Sequence, residues 1–270
     1  MHQQNKDLQK HYEGFLQTNC LWKDNVVYEI LQFDIETKST KIDIDINEKL
    51  RLGKYIERLV SFQLEQEKDI SILSENIQIQ KEKITLGELD CIIKREEKPI
   101  HLEVIYKFYL YDSSVGNTEI EHFIGPNRKD SLVEKLTKLK EKQLPLLYSN
   151  ECKSFLKTIN LTSNKIEQQV YFKGQLFVPF SSKSLQLETL NQDCIVGFYI
   201  NQKELLEFKN CKFYIPNKKG WIVIPHKNVN WLNYENFQIL AQDYIQRKSA
   251  PLCWMKKQNG TLIKIFLVWW

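Results

Sequence analysis

Glycine and proline are scarce in this sequence, with 9 Gly and 7 Pro among 270 residues. That scarcity argues against long flexible linkers. Cysteine is too dispersed to frame a zinc site. Cys20, Cys91, Cys152, Cys194, Cys211 and Cys253 contain no CxxC pair, and read as reduced, mostly buried thiols. A large charge of one sign is missing too: the formal net charge is +4, which permits nucleic acid as a partner but does not argue for it alone. No apolar run approaches the ~20 residues that span a bilayer. The last such run, Leu262 to Trp270, reads as a terminal strand. The opening segment MHQQNKDLQKHYEGF has no apolar signal-peptide core. A cytoplasmic protein is therefore expected, and the sequons at Asn160 and Asn259 carry no weight.

What is present is an ordinary globular mixture, 42% apolar and 27% charged, long enough for one large domain or two modest ones. From Asp7 to Leu31 the apolar positions suggest one or two short helices plus a strand. Thr37 to Ile46 alternates as an exposed strand would. Asn47 is a candidate cap for a helix over roughly Glu48 to Glu67, with Leu52, Ile56, Leu59, Val60 and Phe62 on its apolar stripe and Glu57 beside it. A strand with an irregularity near Glu75-Asn76 is expected over Asp69 to Lys83. Ser131 and Glu134 match a capping box that opens a helix ended or kinked by Pro145. After Glu151 the pattern turns α+β. It predicts a helix near Cys152 to Ile159, strands near Val170 to Phe180, Ile195 to Ile200, Lys212 to Ile215 and Trp221 to Pro225, a helix over Asn236 to Lys248, and a final strand.

The informative stretch is Leu86 to Leu110, LGELDCIIKREEKPIHLEVIYKFYL. Two apolar runs flank the charged turn Lys94 to Pro99, which reads as a β-hairpin. Each run carries an acid, Asp90 in the first and Glu103 in the second. A carboxylate in a strand built for burial is costly unless it is paired or binds a cation. By strand alternation Glu88 shares a face with Asp90, and His101, Ile105 and Lys107 share a face with Glu103. If Asp90 and Glu103 face the same side, their oxygens suit a hard cation such as Mg2+, with Mn2+ as a substitute. The plainer reading, two edge acids paired with Lys94, Arg95 or Lys107, stands beside it.

The order of Glu57 on a helix, Gly87-Glu88-Leu89-Asp90, then Glu103 and Lys107 in a strand resembles the PD-(D/E)XK nuclease superfamily. More narrowly, LGKYIERL, LGELDCII, HLEVIYKFYL, GPNRKDSLVEKL and EKQLPLL resemble a bacterial family, domain of unknown function 1853. The resemblance is densest from Arg51 to Tyr148. It implies an α/β, restriction-endonuclease-like core, a mixed sheet flanked by helices, over residues 1–150. An α+β extension over 151–270 follows. Glu57, Asp90 and Glu103 fall on the superfamily's acidic positions, which implies a magnesium site, and Lys107 is the candidate lysine. Gln143 and Tyr148 lie where some exonuclease-type members carry a glutamine and a tyrosine. The spacing here, with Pro145 between them, departs from that pattern. The lysine departs further. Ile105 occupies the usual place two residues after the acid, and four residues of strand separate Glu103 from Lys107 by roughly 13 Å, against about 7 Å for the usual spacing.

Lys135 and its neighbours Lys138 and Lys142 could track a phosphate backbone or simply be solvated. The turn Gly125-Pro126-Asn127-Arg128 could position substrate or merely precede a capped helix. The tryptophans read better as packing than as base-stacking platforms. The expectation is a magnesium-dependent nuclease acting on DNA or RNA. Its site residues are Glu57, Asp90, Glu103 and Lys107, and its substrate contacts are Asn127, Arg128, Lys135 and Gln143. The alternative is a nuclease-like fold that binds nucleic acid or a protein without turnover.

Overall fold

A computed structural model of the chain describes residues 2–23, 26–36, 38–182 and 185–270, with side chains from residue 6 onward. The first helix, α1 (His2–Leu16), buries Tyr12, Phe15 and Leu16. The second, α2 (Leu52–Glu65), buries Tyr55, Ile56, Leu59, Val60 and Leu64 along one stripe. It starts later than the expected cap at Asn47. The Asn47 side chain accepts the Lys49 N–H (2.9 Å) in a local turn instead, the competition typical of Asn side chains.

Three long strands follow: β1 (Ile70–Lys81), β2 (Ile84–Arg95) and β3 (Lys98–Tyr111), paired antiparallel in sequence order. Asn76 adopts a left-handed φ of 54° within β1, near the expected irregularity, while the pairing with β2 shifts register to either side of it, between Ile72 and Ser74 and between Ile79 and Gln80. The hairpin between β2 and β3 is tighter than the charged stretch suggests. Only Glu96 and Glu97 form the turn, with φ of 46° and 71°, the primed geometry that matches strand twist.

Next come β4 (Phe123–Ile124) and α3 (Leu132–Lys138), with Leu132 and Leu136 buried. Pro145 has no N–H to continue the helix. The chain widens into a π-turn over Leu139–Gln143, where the Leu144 N–H reaches Leu139 O, and then tightens into a 3₁₀ turn over Leu144–Tyr148. The expected break is therefore seen. Helix α4 (Asn150–Thr158) is capped by Ser149, which accepts the Cys152 N–H. Then come β5 (Glu167–Pro179), β6 (Ile195–Asn201), β7 (Lys212–Tyr214) and α5 (Tyr234–Gln246), whose cap is Asn233. The chain closes with β8 (Leu252–Lys256) and β9 (Leu262–Val268).

Three expectations need correction. The strand over Thr37 to Ile46 does not form at 38–46, and Thr37 lies outside the described residues. Ile42 is buried there, so the alternation reports side-chain burial without a partner strand. Trp221 to Pro225 is no strand either: a 3₁₀ turn at Lys219–Trp221 begins that segment, and Trp221 packs edge-on against Phe108 and Phe266. Conversely, β8 was not anticipated. Its run LCWMK is almost wholly buried, so it lacks the polar alternation that flags a strand.

The chain groups into two compact units that interleave along the sequence. One comprises Cys20–Lys107 and Glu134–Lys173. The other comprises Met1–Asn19, Phe108–Val133 and Gly174–Trp270. Residue 150 is the first residue of α4, and β3 and β5 each carry the chain from one unit into the other. The first unit, called here the hairpin unit, is the β1-β2-β3 meander with α2 and α4 packed on it. Its core joins Ile77, Ile79, Leu89 and Ile92 to Leu147, Cys152, Leu156 and Ile166. The second unit has a mixed sheet. There β6 runs parallel to both β5 and β9, while β8 is antiparallel to β9 and to β7. Its core includes Phe208, Phe213, Phe237, Ile265 and Leu267. Each unit is thus α/β, with helices flanking strands. Among the described residues no helix is long and apolar enough to cross a membrane.

Candidate metal centre

Alternation in β2 puts Leu89 and Cys91 into the core and leaves Glu88 and Asp90 half-buried. The α2 stripe puts Glu57 at its margin, with its side chain 15% exposed. As a result, one carboxylate oxygen each from Glu57, Glu88 and Asp90 lies within 4.8 Å of the others. Lys54, one turn before Glu57, serves this cluster. Its ammonium donates to Glu57 Oε2 (2.7 Å), to Asn76 Oδ1 (2.9 Å) and to Glu88 Oε1. The left-handed Asn76 is what turns an amide oxygen toward it.

The paired register of β2 and β3 runs from Arg95↔Lys98 to Cys91↔Leu102. Immediately beyond, Asp90 Oδ2 accepts the Val104 N–H at 2.9 Å. The side chain takes a donor that an ideal ladder would give to a carbonyl, and the hairpin opens where its acids are concentrated.

Glu103 is fully buried, as is His101. Both of its oxygens are engaged. Oε1 is 3.1 Å from His101 Nε2, and Oε2 accepts from Gln143 Nε2 at 2.6 Å. Gln143 in turn accepts from Lys135 Nζ at 2.7 Å. Behind His101, Gln168 Nε2 lies 3.0 Å from Nδ1 and donates to Leu144 O at 2.6 Å.

Crowding of like charges shapes the electrostatics. Burial, then the charges of Glu103 and Glu57, push the Asp90 carboxyl up to about 8, against the pull of the Val104 N–H. Burial also raises Glu57, opposed by Lys54. Burial disfavours the Lys54 charge, but its hydrogen bonds to Glu57 and Glu88 outweigh that and raise it. Lys135 is pulled down to about 8 by burial, with Glu103 and Asp90 acting the other way and Lys107 adding to the fall. Carboxylate oxygens held this close together, with burial raising both Asp90 and Glu57, form the donor set a hard divalent cation takes.

The structure therefore brings Glu57, Asp90, Glu103, Lys135 and Gln143 into one neighbourhood, with Lys107 close enough to act on Lys135. Asn127 and Arg128 are employed elsewhere, inside the other unit. Asn127 Oδ1 accepts the Ala250 N–H (2.8 Å). Arg128 pairs with Asp112 (2.8 Å) and covers the Trp270 ring at 4.5 Å. Tyr148, on the 3₁₀ turn, is 52% exposed. Sequence reasoning did not select Glu88, although its shared face with Asp90 was a usable signal. Lys54 was readable only as a neighbour of Glu57 on α2. Gln168 gave no signal, since 67 residues separate it from His101.

No curated protein and no solved structure matches this chain. A family model matches residues 5–268, nearly the whole length, and the chain belongs to that family, described as Domain of unknown function (DUF1853).

Proposed function

We propose that this protein is a divalent-cation-dependent phosphodiester hydrolase acting on nucleic acid, built on a restriction-endonuclease-like core. The observation that carries this reading is the approach of the Glu57, Glu88 and Asp90 oxygens to within 4.8 Å of one another on the rim of an opened hairpin. These residues would hold Mg2+ or Mn2+, with Glu103 as the acid behind them. The bound cation would polarise a phosphate oxygen and lower the pKa of a bound water. The chain itself supplies the rest. Asp90 is held by the Val104 N–H, Lys54 balances the charge of Glu57 until a cation takes its place, and Lys107 and Lys135 attract the substrate phosphate.

The test is incubation with labelled single- and double-stranded DNA and RNA in Mg2+, in Mn2+ and in EDTA. Cleavage that needs metal and disappears in Asp90→Ala is the expected result. One observation favours a second reading, a nucleic-acid-binding module without turnover: Ile105, buried in β3, stands where the superfamily's strand lysine is expected. Salt-dependent binding with no cleavage in any divalent metal would decide for it.

A further inference from the structure

A buried carboxylate is tolerated only when its oxygens are satisfied, and the way Glu103 is satisfied determines the sense of every hydrogen bond around it. Gln168 uses Nε2 to donate to Leu144 O, a carbonyl that can only accept, so its amide orientation is settled. The same NH2 meets His101 Nδ1, which must therefore be the bare nitrogen, leaving the ring proton on Nε2 to be donated to Glu103 Oε1. On the other side Gln143 faces a carboxylate with one end and an ammonium with the other. Its nitrogen must point to Glu103 and its oxygen to Lys135.

The result is one polarised chain running from Gln168 through His101 to Glu103, and from Lys135 through Gln143 to the same acid. Its free end is Lys135. Among the described residues Gln143 Oε1 is the hydrogen-bond partner that Lys135 has, so two of its three N–H bonds remain for a ligand. The ammonium is close enough to feel the charges of Glu103 and Asp90 and, among the described residues, forms no ion pair with either. The π-turn over Leu139–Gln143 is the local device that carries Gln143 to this place.

We propose, on the hydrolase reading above, that Lys135 of α3 is the catalytic lysine of this site in place of a lysine in β3, and that Gln143, Glu103 and His101 are its positioning residues. Hydrolysis forms a bond from the water oxygen to phosphorus and breaks one phosphorus–oxygen ester bond. One water proton ends on the departing oxygen. Lys135 keeps its own proton throughout and acts by charge and hydrogen bonding on a non-bridging phosphate oxygen. Lys107, four residues beyond Glu103 in the strand, would serve binding at most.

The experiment compares Lys135→Ala, Lys135→Met, Lys107→Ala and Gln143→Leu with wild type in metal-dependent cleavage, with Mn2+ affinity measured by calorimetry on each. Loss of Lys135 should lower kcat on the order of 100-fold while Mn2+ affinity stays within about 3-fold, and ethylamine should restore part of the Lys135→Ala rate. Lys135→Met keeps the packing stem and must show the same loss should the alanine variant fail to fold. Gln143→Leu should lower kcat by about 10-fold at nearly unchanged KM, a split that loss of stability alone does not produce. Metal-dependent cleavage that survives both Lys135 variants, or amine rescue that tracks Lys107→Ala instead, overturns this proposal and leaves the hydrolase reading standing. Absence of cleavage by folded wild type overturns both.

Discussion

Replacing Asp90 by Asn should flatten the dependence of stability on pH, and the structure sets the size of the change. The Asp90 carboxyl titrates at about 8 in the folded chain against an ordinary 3.8. Burial is the main cause, with the Glu103 and Glu57 charges second. Between those values the folded protein holds a proton that the unfolded chain has released. The native state therefore binds more protons, and stability must fall as pH rises through the window. Each pH unit is worth up to ~1.4 kcal/mol. Asp90 is half-buried rather than sealed, so solvent and relaxation reduce the total to about 2–3 kcal/mol across the window. Asparagine keeps an oxygen for the Val104 N–H and carries no charge. Urea denaturation in EDTA at pH 5, 6, 7 and 8 should show wild type losing about 2 kcal/mol of that total while Asp90→Asn loses less than ~1 kcal/mol. A divalent cation should return the lost stability to wild type at pH 8, ~2.7 kcal/mol at a hundredfold excess over Kd, and should do little for the variant. Parallel pH curves for the two proteins would refute the assignment of Asp90 as the strained acid of the cluster.

Lys54→Met removes an ammonium that competes for Glu57 and Glu88 and should tighten Mn2+ binding by about 3- to 10-fold, or ~1 kcal/mol; calorimetry showing weaker binding would mean that Lys54 organises the cluster rather than occupying it. Glu96→Asn with Glu97→Gly should stabilise the protein by about 1–2 kcal/mol in chemical denaturation, since both residues occupy the left-handed region that non-glycine residues enter at a penalty. Gly197→Ala should destabilise by at least ~2 kcal/mol or prevent folding, because a Cβ there would lie 2.0 Å from the Lys264 carbonyl oxygen across the parallel β6–β9 pairing; near-wild-type melting would contradict that approach.

The local elements of the hairpin unit follow from neighbouring residues alone. The apolar runs around Lys94 to Pro99 made a hairpin, the Leu52 to Phe62 stripe made a helix, and Pro145 broke the helical run at Gln143-Leu144. These follow from periodicities of 2 and 3.6 and from a missing N–H, all properties of adjacent residues. Alternation also puts Glu88 with Asp90, and His101 with Glu103, without any tertiary contact. Where alternation had no partner strand, at residues 38–46, or where burial erased it, in β8, the same signal failed. How the acids are used depends on contacts between distant parts of the chain. Bringing Glu57 to Glu88 and Asp90 requires α2 to pack on the meander. Satisfying Glu103 draws Gln143 from 40 residues away, and Gln168 reaches His101 across 67. Strand spacing can say that Lys107 lies too far along β3, but whether another cation fills its place depends on which helix the folded chain lays beside the acids, and that helix carries Lys135.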